Sequence, residues 1–240
     1  MEELNDACVV ITGASRGLGR ALALALSRRG ARTVLVARDA HGLHETVRRV
    51  SAEGPKPIAI VGSIADLKDV HRIRETVLAT VAPTALINNA SQFALGSLAE
   101  LAPEVVAGVL ETGVVGTTLM AQAFLPALRA ADSGLLLNIG ARVASPGYPL
   151  DVSGTSLPYQ TAKRYLTVLA AALRQEAPDV DVATLYLPAI GSAVDLDDPA
   201  ESLAQAYGEQ RVLPLTAVTS AVGDRLAGIG MRWEEWVLSA

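Results

Sequence analysis

Apolar residues follow two alternating rhythms along this chain. Short β-branched or leucine-rich runs occur at 8–11 (Cys8, Val9, Val10, Ile11), 33–37, 57–61, 84–87, 134–139 and 180–187. Each lies between turn-prone residues and has little polar alternation, the pattern of a strand buried on both faces. Between them, apolar positions recur at three- and four-residue spacing: Leu18, Ala21, Leu22, Ala25 and Leu26, then 41–53, 67–79, 103–130 and 157–176, with a further stretch at 216–229. That is helical spacing. The pattern of 103–130 is broken around Gly113 and Gly116. Strands alternating with helices in this way predict one α/β domain, doubly wound, with a mainly parallel sheet and right-handed crossovers. Ligands of such sheets sit beyond the carboxyl ends of the strands.

The first strand runs into Thr12-Gly13-Ala14-Ser15-Arg16-Gly17-Leu18-Gly19 and then directly into a helix. Glycines let a backbone turn tightly and approach a pyrophosphate, and a helix start offers N–H groups and partial positive charge. Strand, glycine turn and helix together predict a dinucleotide site on a Rossmann-type domain. Near the other end, residues 190–210 carry Asp195, Asp197, Asp198 and Glu201 with Gly191 and Pro199. They read equally as a substrate lid and as a solvated connection. Trp233 and Trp236 are expected to pack or to make a subunit contact.

Composition narrows the partners. Half of the 240 residues are hydrophobic and 19% are charged, enough for one large core. A net charge of −5 and the lack of any basic run argue against a nucleic-acid partner. No apolar run is expected to span a membrane, and the acidic start, Met1-Glu2-Glu3, is unlike a secretory leader. The single cysteine, Cys8, is expected to be a buried small hydrophobe in a cytoplasmic protein. No metal site is expected.

The spacing Thr12-Gly13-x-x-x-Gly17-x-Gly19 resembles the short-chain dehydrogenase/reductase family over about residues 7–190. Asn88-Asn89-Ala90-Ser91 after the fourth strand is similar to that family's N-N-A-G, and Tyr159-x-x-x-Lys163 to its Y-x-x-x-K. Tyr159 and Lys163 are four apart on a predicted helix and so share a face. A free tyrosine titrates near 10, and a neighbouring ammonium favours its phenolate. The resemblance implies that Tyr159 is the catalytic acid/base and that Lys163 tunes it and binds the nicotinamide ribose. It also implies that Gly13, Ser15, Arg16, Gly17, Leu18, Gly19, Arg38, Ser63, Ile64, Asn89, Ala90, Pro188 and Ile190 line the cofactor. Arg38, at the end of the second strand, and Arg16 suit a 2′-phosphate, so NADPH is expected in preference to NADH. Asp39, the next residue, is the group that would favour NADH.

Several family positions are altered: the family's usual acidic residue after the third strand falls on Ser63, and the glycine of N-N-A-G on Ser91. The family's N-I-S-S reads Asn138-Ile139-Gly140-Ala141, so the usual catalytic serine falls on Ala141. The V-N-L-x-G-T asparagine falls on Gly113, and the usual Pro-Gly after the sixth strand reads Pro188-Ala189. Ser145, Ser153, Thr155, Ser156 or Tyr148 is expected to supply a replacement donor; Arg142 is another candidate. Ala141, Arg142, Ser145 and Tyr148 form the expected substrate wall. The resemblance implies an atypical NADPH-dependent oxidoreductase acting on a ketone or secondary alcohol. The alternatives are a non-redox cyclase, isomerase or dehydratase, and a nucleotide-sensing protein without activity. The partners implied are a small-molecule substrate and a second copy of the chain, paired through the helices at 103–130 and 157–176. A dimer is expected rather than a tetramer, because the C-terminal ending of larger relatives is not visible.

Overall fold

The computed structural model describes residues 3–150, 155–188, 190–191, 213–228 and 235–237. Six strands fall where the apolar runs predict them: β1 (Cys8–Thr12), β2 (Arg32–Ala37), β3 (Ile58–Val61), β4 (Ala85–Asn88), β5 (Leu135–Ala141) and β6 (Asp181–Leu187). Two short strands, β7 (Ile190–Gly191) and β8 (Leu213–Pro214), pair with each other. A last strand, β9 (Glu235–Val237), joins β6. The main sheet is parallel throughout, in the order β3-β2-β1-β4-β5-β6-β9. Its order reverses between β1 and β4, and crevices of doubly wound sheets open at such switch points.

The helices are α1 (Gly17–Arg28), α2 (Ala40–Ser51), α3 (Leu67–Thr80), α4 (Pro103–Leu110), α5 (Thr117–Ala130), α6 (Leu157–Glu176) and α7 (Leu215–Leu226). Their side chains build a core on each face of the sheet. Val9 and Ile11 of β1 point into one, with Leu22 and Leu26 of α1 and Val218 and Val222 of α7. Cys8 and Val10 point into the other, with Ile73 of α3, Phe124 and Leu128 of α5, and Leu169 and Leu173 of α6. Successive strand residues enter opposite cores, which is why the strand sequences are apolar without alternation. Burial pushes the Cys8 thiol up to about 11, so this cysteine is an inert part of the core.

Three features depart from the sequence reading. First, a seventh main-sheet strand, β9, exists where no C-terminal strand is expected. It contains Trp236; Trp233 lies outside the described residues. Second, the break at Gly113 and Gly116 is a π-helical turn, Glu111–Gly116, that joins α4 to α5 without interrupting the helix. Third, the resulting run, Pro103–Ala130, is by length and composition able to cross a membrane, contrary to expectation. Here one of its faces is spent on the sheet: Met120, Ala121, Phe124, Leu125 and Leu128 are buried in the second core.

Of the proposed lid at 190–210, only Ile190 and Gly191 lie among the described residues. A cleft at the amino-terminal ends of the strands, lined by Leu4, Pro83, Gly134 and Arg225 among others, is at the opposite end of the sheet from the glycine turn.

Candidate active site

The glycine turn is closed by contacts no side chain could share. Gly13 has φ +68°, and a Cβ there would lie 2.8 Å from Ala90 Cα. A Cβ on Gly19 would lie 2.2 Å from Gly13 O, so the helix start packs directly on the turn. The exit of β4 braces it. Thr12 Oγ1 accepts the N–H groups of Asn89 and Ala90, each at 3.0 Å, and Asn89 Nδ2 donates to Thr12 O at 2.9 Å. Arg16 occupies the N-cap of α1 in extended conformation and supplies no capping side chain.

At the end of β2, Arg38 is exposed. Asp39 is the N-cap of α2: its Oδ1 accepts the N–H groups of His41 (3.0 Å) and Gly42 (3.1 Å). After β3, the Ser63 hydroxyl accepts the Ala65 N–H at 3.3 Å, and its own N–H donates to Asp69 Oδ2 at 2.8 Å. A carboxylate therefore does reach this turn, from α3. The Ser63 N–H and the Arg72 guanidinium hold it below the usual carboxylate range. Ile64 is buried and packs on Gly116, where a Cβ would lie 2.7 Å from Ile64 Cγ1.

Ser156 caps α6, accepting the Tyr159 N–H at 3.5 Å. One turn later Lys163 is buried, its Nζ donating to Ile139 O of β5 at 2.8 Å and standing 5.9 Å from the centre of the Tyr159 ring. Desolvation brings the Lys163 ammonium from 10.5 down to about 8. Phe93 meets the Tyr159 ring edge-on, with centroids 5.0 Å apart. Tyr159 is half-buried between these neighbours.

The altered positions have physical partners. Gly140 lies opposite Tyr186 of β6, and a Cβ there would be 2.7 Å from the Tyr186 ring. Ala141 ends β5 and is buried. Gly113 lies in the π-helical turn, and a Cβ there would be 2.8 Å from the Cβ of Ala162, the residue before Lys163. The absent side chains at 113 and 140 are thus spaces occupied by Ala162 and Tyr186.

Of the proposed replacement donors, Ser145 spends its O–H on a carbonyl, while Thr155 and Ser156 are held as acceptors. Ser145 donates to Arg142 O at 2.8 Å, Thr155 Oγ1 accepts from Gln160 Nε2 at 2.9 Å, and Ser156 is the cap. Ser153 lies outside the described residues. Arg142 is exposed and Tyr148 half-buried, on a loop held by Arg164 Nη2, which donates to the carbonyls of Val143, Tyr148 and Pro149 at 3.0 to 3.2 Å. Pro188 follows β6 half-buried, and Ile190 is paired with Leu213. Sequence reasoning missed Arg20, Thr46, Asp69, Phe93 and Arg164. Each has at least one partner outside its own element, and only the Asp69–Arg72 pair, three apart on α3, is signalled by spacing.

A glycine turn at a sheet's switch point and a tyrosine–lysine pair on the helix after β5 are together the scaffold of a dinucleotide-dependent α/β oxidoreductase. Residues 7–198 match the short chain dehydrogenase family, and the chain belongs to it. It is 30% identical over 210 residues to the ketoacyl reductase HetN of Nostoc sp., covering 85% of this chain and 71% of that protein. Among solved structures, the alcohol dehydrogenase of the archaeon Thermococcus sibiricus complexed with 5-hydroxy-NADP superposes with a TM-score of 0.82 at 25% identity, covering 97% of this chain and 96% of that one. The 3-oxoacyl-(acyl-carrier-protein) reductase of Agrobacterium tumefaciens C58 with NADP bound shares the fold, with a TM-score of 0.83 at 21% identity and coverage of 98% and 94%.

Proposed function

We propose that this chain is an NADPH-dependent ketone reductase, interconverting a ketone and a secondary alcohol with Tyr159 as the acid/base. The observation that carries the reading is the buried Lys163 ammonium, tied to Ile139 O and set 5.9 Å from the Tyr159 ring centre. Lys163 remains charged at neutral pH even with its affinity for protons lowered to about 8. A fixed positive charge beside the phenol favours its ionised form and readies it for proton exchange with a carbonyl or alcohol oxygen. When bound, NADPH supplies the hydride.

The residues present fit that cofactor. Gly13, Ser15, Gly17, Leu18 and Gly19 form the phosphate turn, and Asn89 and Ala90 wall its β4 side. Ser63 and Ile64 stand at the adenine end, and Pro188 and Ile190 at the carboxamide end. Arg38 and Arg16 are both exposed to grip a 2′-phosphate. Asp39, the group that would favour NADH, is engaged as the cap of α2. NADPH is therefore the preferred cofactor. Ala141, Arg142, Ser145 and Tyr148 border the substrate, and Arg142 and Tyr148 are side chains able to polarise its oxygen.

A non-redox isomerase or dehydratase is the second reading. It is favoured by Ala141, which offers no hydroxyl where the family's serine stands; loss of one such donor typically slows acyl-type chemistry about 10²–10³-fold. A homodimer is proposed through the outer faces of the α4–α5 run and α6, where Val115 and Val168 are 46% and 65% exposed. The test is calorimetric titration of the wild type and Arg38→Ala with NADPH and NADH, followed by a ketone panel with Tyr159→Phe as control. Tight NADPH binding weakened by Arg38→Ala, and ketone-dependent NADPH oxidation abolished by Tyr159→Phe, support the reductase. Conversion of substrate without NADPH oxidation would replace it with the non-redox reading.

A further inference from the structure

We propose that Arg20 is a positioning residue that sets the selectivity for the 2′-phosphorylated cofactor, by fixing the glycine turn against the first turn of α2. The inference rests on the NADPH reading.

Arg20 lies on α1 and is only 5% exposed. Its Nε donates to Thr46 Oγ1 on α2 at 2.9 Å. Its Nη2 donates to Ser15 O in the glycine turn and to Gly42 O, at 3.3 Å, in the first turn of α2. The Thr46 hydroxyl accepts from Arg20 and lies within donating reach of Ala14 O (2.9 Å) and Gly42 O (3.0 Å). Gly42 is pressed into the same junction: a Cβ there would lie 2.9 Å from Ser15 O and 2.5 Å from Asp39 Oδ2. The Ala14 N–H closes the group from the sheet side, donating to Val36 O at 3.2 Å.

The staple joins two segments at chosen points. Ser15 immediately precedes Arg16, and Gly42 shares a cap with Asp39, the residue after Arg38. The two exposed guanidiniums are thus carried on backbone segments that Arg20, together with Thr46, ties to each other. A phosphate held by two guanidiniums depends on their mutual placement far more than a ribose hydroxyl held by one group does. A planar guanidinium reaches several carbonyls at once, which a single ammonium cannot. Displacing the staple should therefore cost the 2′-phosphate contacts first and leave the pyrophosphate turn, braced separately by Thr12 and Asn89, in place.

The variants are Arg20→Met, Arg20→Lys and Thr46→Val, with thermal unfolding used to confirm that each is folded. Calorimetry measures binding of NADPH, NADH and the fragment 2′,5′-ADP, with no substrate present. In Arg20→Met the ratio of NADPH to NADH affinity should fall roughly tenfold or more, the scale of losing one charge-assisted contact. The affinity for 2′,5′-ADP should fall in parallel, while that for NADH changes by less than about threefold. Thr46→Val should show a smaller shift of the same sign, and Arg20→Lys should fail to restore the ratio. Equal weakening of both nucleotides, or an unchanged ratio in Arg20→Met and Thr46→Val, would overturn the proposal and leave Arg20 a structural strut. If Arg20→Met does not fold, Thr46→Val decides. A wild type that binds NADPH and NADH alike fails at the earlier step: it removes the NADPH reading and this inference with it.

Discussion

Replacing Gly140 by alanine should destabilise the protein, although alanine in a strand usually improves on glycine. The ordinary gain comes from restricting the unfolded chain and is about 0.4–1 kcal/mol. Here the added Cβ would stand 2.7 Å and 3.0 Å from two ring carbons of Tyr186 and 3.2 Å from Thr184 Cγ2. The ring has nowhere to go. Tyr186 is fully buried, and its hydroxyl is hydrogen-bonded to Thr167 on α6. Overpacking of this kind costs about 1–3 kcal/mol. The net loss should be about 1–2 kcal/mol, or roughly 2–8 °C in Tm for a domain of this size. Urea unfolding gives the free energy and thermal unfolding the Tm, and Gly140→Ser should lose at least as much. In a Tyr186→Val background, with the ring removed, the same alanine should be neutral or stabilising, and the difference between backgrounds measures the contact. A Gly140→Ala protein as stable as wild type would show that the strands relax around the pair, and would refute the explanation of why position 140 carries glycine where N-I-S-S has its first serine.

Three further outcomes are expected. Burial lowers the Lys163 amine from 10.5 to about 8, so between those values the unfolded chain binds more protons and this group's contribution to stability rises with pH. Below about 8 the burial penalty is present in full; Lys163→Met should therefore be most stabilised relative to wild type near neutral pH and lose that advantage by about pH 10, read from urea midpoints across the range. Asp39→Ala removes the acceptor for the His41 and Gly42 N–H groups and should cost about 1 kcal/mol by the same measurement. Val168→Glu, on the exposed face of α6, should convert a sedimenting dimer to a monomer that keeps the wild-type circular dichroism spectrum; a wild type that sediments as monomer at micromolar concentration would end the dimer proposal.

What the sequence disclosed was what local chemistry controls. The six long strands could be read because residues such as Val9 and Val10 are driven into opposite cores, leaving no polar position to blur the run. Helix α6 could be placed at 157–176 because its apolar face is periodic, and this put Tyr159 and Lys163 one turn apart; that Ser156, read as a possible donor, is its cap only the structure shows. Strand β9 was not legible: three residues are too few to show a period, and only the open edge of β6 makes them a strand. The helix of 103–130 looked interrupted because glycine weakens helical patterning, yet Gly113 and Gly116 are where Ala162 and Ile64 press in. Gly140 appeared only as a lost serine until Tyr186 supplied the neighbour. Asp69, Arg20 and Arg164 act through carbonyls or N–H groups of the loops that precede their helices, and such partnerships exist only after the chain has folded.

Strand β9 also sets an order on biosynthesis. β6 is translated and can pair with β5 well before Glu235, Trp236 and Val237 have been made, because residues 188–234 come first. During that interval Thr184, Leu185 and Tyr186 present an unpaired edge in the middle of an apolar strand. Open edges of this kind recruit strands from neighbouring chains, and nascent domains are most exposed to that encounter. Slowing chain initiation, so that unfinished chains meet less often, is therefore expected to raise the share of this protein recovered folded, as measured by the soluble fraction.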